Sequence, residues 1–96
     1  MPAMHYTVRW PDARETDCYS PSLVIQDVLT LGTDYTVVDF MQRVRRATAI
    51  ANERVQAKYG FVCSRANDQL AQLERLQARY VDDPQALVRV LAFSPA

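Results

Sequence analysis

A long amphipathic segment at about residues 37–59 limits the folds open to this chain of 96 residues more than any other feature. Apolar residues recur along it at intervals of three and four, the spacing of one helix face. They are Val37, Phe40, Met41, Val44, Ala47, Ile50, Ala51 and Val55. Thr36 is suited to cap the first turn, with Asp39 three residues later, and Gly60 is suited to a left-handed C-cap. The pattern predicts a helix about 35 Å long whose apolar face other elements must cover.

Alternating residues at both ends of the chain predict strands. Met4, Tyr6, Val8 and Trp10 alternate with polar residues, which indicates a strand with one buried face. A turn at residues 11–13 should lead into a second strand at about 14–19. The last strand is predicted at 87–93. Strict alternation there places Leu87, Leu91 and Phe93 on one face and Val88, Val90 and Ala92 on the other, so neither face is polar.

Two further helices complete the predicted fold. Ser20 and Pro21 resemble a cap and a first helical residue, which predicts a short helix over 21–29. Ser64 is a plausible cap for a helix that extends to Tyr80 and packs against the long helix as an antiparallel hairpin. We therefore predict one α+β domain over residues 1–96. It has a small antiparallel sheet of about three strands, in the order β-β-α-α-α-β, with the long helix and the helical hairpin packed on one face.

Composition and charge indicate a class of protein. With no apolar run long enough to span a membrane and no secretion signal, the chain is expected to be soluble and cytoplasmic, with its two cysteines reduced. The formal net charge is zero, but residues 1–40 are net negative and residues 41–80 net positive. This pattern favours contacts between copies over binding to nucleic acid, and the arginines of the long helix should face solvent or a partner. The apolar last strand likewise predicts a homodimer or another partner that covers the second sheet face.

The sequence gives little support for catalysis or for a metal cofactor. No Ser-His-Asp or paired-carboxylate arrangement can be argued, so an enzymatic function is not favoured. His5 is the only histidine, and with Cys18 and Cys63 it gives at most three of the four ligands that structural zinc requires. No catalytic residue, metal or cofactor is therefore assigned.

Two segments, residues 18–22 and 63–66, nevertheless form a candidate site because each lies at a predicted helix start. The helix dipole and Arg65 could lower the pKa of the two thiols, although ordinary buried cysteines would give the same pattern. Free N–H groups, hydroxyls and a guanidinium also suit a phosphate or carboxylate, although simple helix capping would explain them equally. The candidate ligand-binding residues are Cys18, Ser20, Ser22, Cys63, Ser64 and Arg65.

Several short segments are distinctive as an ordered set. They are Arg9-Trp10-Pro11-Asp12, Cys18-Tyr19-Ser20-Pro21-Ser22, Lys58-Tyr59-Gly60-Phe61, Cys63-Ser64-Arg65-Ala66 and Asp68-Gln69-Leu70-Ala71. With these segments the chain resembles a small bacterial family of nitrogen starvation response proteins. The resemblance implies a cytoplasmic protein whose gene accompanies a nitrilase gene in clusters for nitrile or cyanide assimilation. It implies no reaction and no catalytic residues.

Three functions follow as hypotheses. The first is a non-catalytic accessory or interaction protein of nitrogen-starvation or nitrile and cyanide metabolism, which forms a homodimer or binds enzymes of the same gene cluster. The second is a protein that binds a small ligand or anion near residues 18–22 and 63–66. The third is a thiol-based enzyme or redox switch at the two cysteines.

Overall fold

A four-stranded antiparallel sheet carries two packed helices on one face. The computed structural model describes residues 3–61, 64–83 and 85–95. Its elements are β1 (Met4–Arg9), β2 (Glu15–Ser20), α1 (Ile25–Val28), β3 (Asp34–Thr36), α2 (Val37–Tyr59), α3 (Ser64–Gln77), one turn of 3₁₀ helix (Ala78–Tyr80) and β4 (Leu87–Pro95). The strands lie in the order β2-β1-β4-β3. The predicted α+β class, with the helices on one face of a small antiparallel sheet, is confirmed.

The long helix α2 begins and ends where its capping residues predict. The Asp39 N–H donates to Thr36 Oγ1 at 3.1 Å, and the side chains of Tyr35 and Phe40 on either side of the cap are buried. Gly60 has a φ of 80° and its N–H donates to the Gln56 carbonyl at 2.8 Å, which ends the helix in the left-handed conformation. Local sequence therefore determines both ends of α2.

Helices α2 and α3 form the predicted antiparallel hairpin. Asn52 of α2 donates to Asn67 near the start of α3, whereas Arg45 of α2 contacts Glu74 near the end of α3. Between these polar contacts the side chain of Leu73 is fully buried in the main core. The hairpin thus covers one face of the sheet with the apolar stripes of both helices.

Strand β3 corrects the predicted number of strands. Its three residues precede α2 directly and pair with β4, with Tyr35 opposite Val88. A segment of three residues is too short to show an alternating pattern, so the sequence predicted no strand directly before the long helix. The tertiary pairing with β4 therefore creates a strand that no local signal indicates.

A bulge in β4 corrects the predicted faces of the last strand. Thr7 pairs with Ala92 but Val8 pairs with Val90, so Leu91 is an extra residue in the ladder. The bulge reverses the alternation beyond it, which moves Phe93 to the helix-covered face with Val88 and Val90. Strict alternation from the sequence was wrong here, since a bulge changes which residues share a face.

The face of the sheet opposite the helices carries polar pairs that join neighbouring strands. They are Thr7 with Asp17 at 2.8 Å, Arg9 with Glu15 at 3.9 Å and Arg89 with Asp34 at 2.9 Å. Exposed ion pairs of this kind stabilise a fold little, but they suit contact with water. Arg89 gives the last strand a polar outer face, so the premise that neither face of this strand is polar is wrong. The homodimer stays a prediction.

Helix α1 is shorter than the predicted helix over 21–29. Ser20 belongs to β2 and does not cap α1, because its hydroxyl donates to the Ser22 carbonyl at 2.7 Å. The Val24 N–H in turn donates to Ser22 Oγ at 3.3 Å, so the two serines form a turn before α1 begins. Within the described ranges, none of the helices combines the length and the apolar character needed to cross a membrane.

Candidate functional site

The described residues of the predicted candidate site differ in burial. Cys18, Ser20 and Ser22 are all buried, on the helix-covered side of the chain or in the turn that follows β2. Ser64 and Arg65 are exposed at the start of α3, and Cys63 lies outside the described residues. Ligand binding at these residues stays a prediction. The hydroxyls of Ser20 and Ser22 already make hydrogen bonds, within their own turn and, for Ser22, with Arg54 of α2.

Cys18 has the opposite electrostatics to those that a reactive thiol requires. Its side chain is 1% exposed and its Sγ lies 3.8 Å from the Thr16 carbonyl oxygen. Burial raises the pKa of the Cys18 thiol to about 12, because the charged thiolate is poorly solvated in the core. The predicted lowering of this pKa is therefore wrong, since Cys18 lies in a strand and not at a helix start.

The two predicted segments do meet, through the predicted residue Arg65 and through Tyr19, which was not predicted. The guanidinium carbon of Arg65 lies 3.8 Å from the centroid of the Tyr19 ring, a cation–π contact. The Tyr19 N–H donates to Gln69 Oε1 at 3.1 Å, which further attaches α3 to the edge of β2. This contact engages Arg65 in packing between the helix and the strand.

Ser22 connects the predicted region to a groove that the sequence did not indicate. Arg54 of α2 donates from Nη1 to Ser22 Oγ at 2.9 Å. Beside this contact, α1 and α2 enclose a groove of about 590 Å³, which we call the α1–α2 groove. Its lining residues are Val24, Asp27, Val28, Asp39, Gln42, Arg43, Arg46, Ile50 and Arg54.

Two of the arginines in the groove are held by other protein groups. Arg43 donates from Nε to Asp39 Oδ2 at 3.0 Å and from Nη1 to the Val28 carbonyl at 2.8 Å. Its guanidinium carbon also lies 4.8 Å from the centroid of the Tyr35 ring. Arg54 is held by Ser22, as described above. Both guanidiniums are thus fixed in place, and their binding geometry needs little reorganisation.

Arg46 differs from its two neighbours. It is exposed and lines the same groove, yet within the described part of the chain its guanidinium has no hydrogen bond, ion pair or ring contact. A guanidinium stays protonated at physiological pH and matches a carboxylate with two parallel N–H donors. The aliphatic side chains of Val24, Val28 and Ile50 add an apolar part to the groove. A small organic anion fits this combination of groups.

Sequence reasoning missed the groove although one signal for it was present. Arg43 and Arg46 are three residues apart and therefore lie on one side of a helix. The sequence assigned that side to solvent or a partner, because it gave no indication that α1 packs next to it. Only the α1–α2 contact turns a charged helix face into a groove.

Comparison with known proteins gives one match. The model of a family described as nitrogen starvation-induced protein NitG matches residues 5–93. A search of curated proteins finds no match, and a search of solved structures finds none either. The family match covers nearly all of the chain, including every strand that forms the sheet and both long helices. The chain therefore belongs to the NitG family of nitrogen starvation-induced proteins.

Proposed function

We propose that this protein is a non-catalytic accessory protein of nitrogen-starvation metabolism that binds a small organic anion in the α1–α2 groove. The observation that carries the proposal is the unpartnered guanidinium of Arg46 beside two guanidiniums that are already fixed. In this proposal the protein works in the cytoplasm, beside enzymes of nitrile or cyanide assimilation. The NitG family match supports the link to nitrogen starvation.

The chemistry of the lining favours binding over bond making. Guanidinium groups do not give up a proton at physiological pH, so they hold anions without acting as general acids. Arg43 and Arg54 are held before a ligand arrives, which reduces the entropy lost on binding. Arg46 then supplies the free donors, and the lining, with three arginines against Asp27 and Asp39, keeps a net positive charge that attracts an anion.

Calorimetric titration with 4-methylpentanoate, a small branched carboxylate, tests this proposal. Arg46→Gln keeps a long polar side chain but removes the charge, and we expect it to weaken binding by about 1.5–3 kcal/mol, or at least about tenfold in Kd. Arg75→Gln is the matched control, because Arg75 is exposed on α3 and does not line the groove. Equal weakening in both variants, or no binding to the unsubstituted protein, would contradict the proposal.

An interaction function is the second candidate, supported by an apolar cleft elsewhere on the helical hairpin. The cleft of about 360 Å³ lies between the start of α2 and the end of α3. Two of its side chains, Val38 and Val81, are 37% and 75% exposed. Apolar side chains grouped at the surface are typical of contacts between proteins. We propose a second copy of the chain as the occupant, which keeps the predicted homodimer as a proposal.

Light scattering coupled to size exclusion tests the dimer, with Val81→Asp as the variant. We expect a dimer for the unsubstituted protein and a monomer for Val81→Asp, because a carboxylate in the cleft would be buried without a partner. Ala71→Asp, on the exposed side of α3, is the matched control. This candidate would be ruled out if the protein is monomeric at all concentrations and retains no enzyme of the predicted gene cluster in a pull-down.

A further inference from the structure

We infer that the ligand of the α1–α2 groove is a zwitterionic amino acid with an aliphatic side chain, whose carboxylate binds Arg46 and whose ammonium group binds Asp27. This inference rests on the function proposed above and specifies the ligand class. It starts from a second unpartnered charge in the same groove. Asp27 of α1 is exposed and lines the groove, and within the described ranges its carboxylate has no hydrogen bond and no ion pair.

The two carboxylates of the groove are used differently. Asp39 lies one helical turn before Arg43 and forms an ion pair with it at 3.0 Å. Asp27 comes from the other wall of the groove and pairs with none of the three lining arginines. The groove therefore has one unpaired carboxylate on α1 and one unpaired guanidinium on α2. The other charged side chains of its lining already have partners within the protein.

This charge arrangement selects among anions. A simple carboxylate gains one contact at Arg46 but brings a negative charge near Asp27, which opposes its binding. A zwitterion satisfies both groups at once because its ammonium group offsets the negative charge of Asp27. A phosphate ester would experience the same repulsion from Asp27 with a larger charge. The presence of Asp27 in the lining thus favours an amino acid over other anions of similar size.

The apolar part of the groove indicates the side chain of that amino acid. The half-buried side chains of Val28 and Ile50 contribute aliphatic surface beside the charged groups. Ligand sites commonly combine such a surface with a few polar groups that fix the orientation. An aliphatic side chain would remove these methyl groups from water, which stabilises the complex. L-Leucine is therefore the first probe.

Three compounds with one carbon skeleton test the inference by calorimetric titration. L-Leucine carries both charges, 4-methylpentanoate lacks the ammonium group and 3-methylbutylamine lacks the carboxylate. We expect L-leucine to bind at least about tenfold more tightly than either of the others, since each of them loses one charged contact. Asp27→Asn should reduce the affinity for L-leucine to that for 4-methylpentanoate. The same substitution should not weaken the binding of 4-methylpentanoate, which has no ammonium group.

Asp68→Asn is the matched control, because Asp68 is an exposed acid of α3 that does not line the groove. Circular dichroism of each variant confirms that it is folded. If L-leucine and 4-methylpentanoate bind equally and Asp27→Asn changes neither affinity, the inference is overturned while the proposed anion-binding function survives. If neither compound binds to the unsubstituted protein, the proposed function fails together with the inference.

Discussion

Replacing Cys63 with serine leaves Cys18 as the only thiol of the chain, so alkylation of the Cys63→Ser variant reports on Cys18 alone. Burial raises the pKa of this thiol from 9.0 to about 12. At pH 8 such a shift lowers the thiolate fraction, and hence the alkylation rate, by about a thousandfold relative to an ordinary thiol. Steric protection acts in the same direction, because the side chain is only 1% exposed.

The assay compares iodoacetamide labelling of this variant in buffer and in concentrated urea at pH 8, followed by mass spectrometry. We expect the native rate to be at least about a thousandfold below the unfolded rate. Opening of the core is the remaining route to reaction, so mild urea should accelerate labelling in parallel with unfolding. A native rate within tenfold of the unfolded rate would refute the buried position of Cys18 and revive the thiol-based hypothesis.

The same shift predicts how stability depends on alkaline pH. Because burial raises the folded-state pKa, the favourable contribution of the neutral thiol is fully present below its ordinary, unfolded-state pKa of 9.0. It is lost as the pH rises towards the folded value of about 12, by up to about 1.4 kcal/mol per pH unit. Tyr6 is buried against Cys18 and its pKa is raised as well, mainly by burial. Cys18→Ala removes the thiol together with its effect on the Tyr6 pKa, so a comparison with this variant in the same background reports on the buried pair.

Four further predictions concern stability, each measured as the free energy of unfolding in urea with the fluorescence of Trp10, the only tryptophan. Thr36→Ala should cost about 1 kcal/mol, because it removes the acceptor for the Asp39 N–H, whereas Thr36→Ser should restore most of it. Gly60→Ala should cost about 1–2 kcal/mol from backbone strain alone, since no atom lies within 4 Å of the added Cβ. Leu73→Ala should cost about 2–5 kcal/mol, and a smaller loss would mean that the hairpin closes over the cavity. Ala13→Gly should stabilise the protein by up to about 1 kcal/mol, because Ala13 has a φ of 70°; a loss of stability would exclude strain at this turn.

Elements whose signals are local could be predicted from the sequence. The limits of α2 follow from Thr36 and Gly60, whose contacts lie within four residues along the chain. The alternation of Met4, Tyr6 and Val8 identified β1 and its buried face. The candidate site was predicted less well. Ser20 was interpreted as a helix start, but the helix begins only at Ile25.

By itself, the sequence determined the long helix, the helical hairpin and the α+β class, because capping residues and apolar spacing act within a few residues of one another. Only the tertiary structure decided three other features: β3, the bulge at Leu91 and the α1–α2 groove. Each depends on contacts between groups that are distant in sequence, such as the pairing of Tyr35 with Val88 or the hydrogen bond from Arg54 to Ser22. Pairing and packing energies of this kind exist only once the elements meet, so no local pattern encodes them.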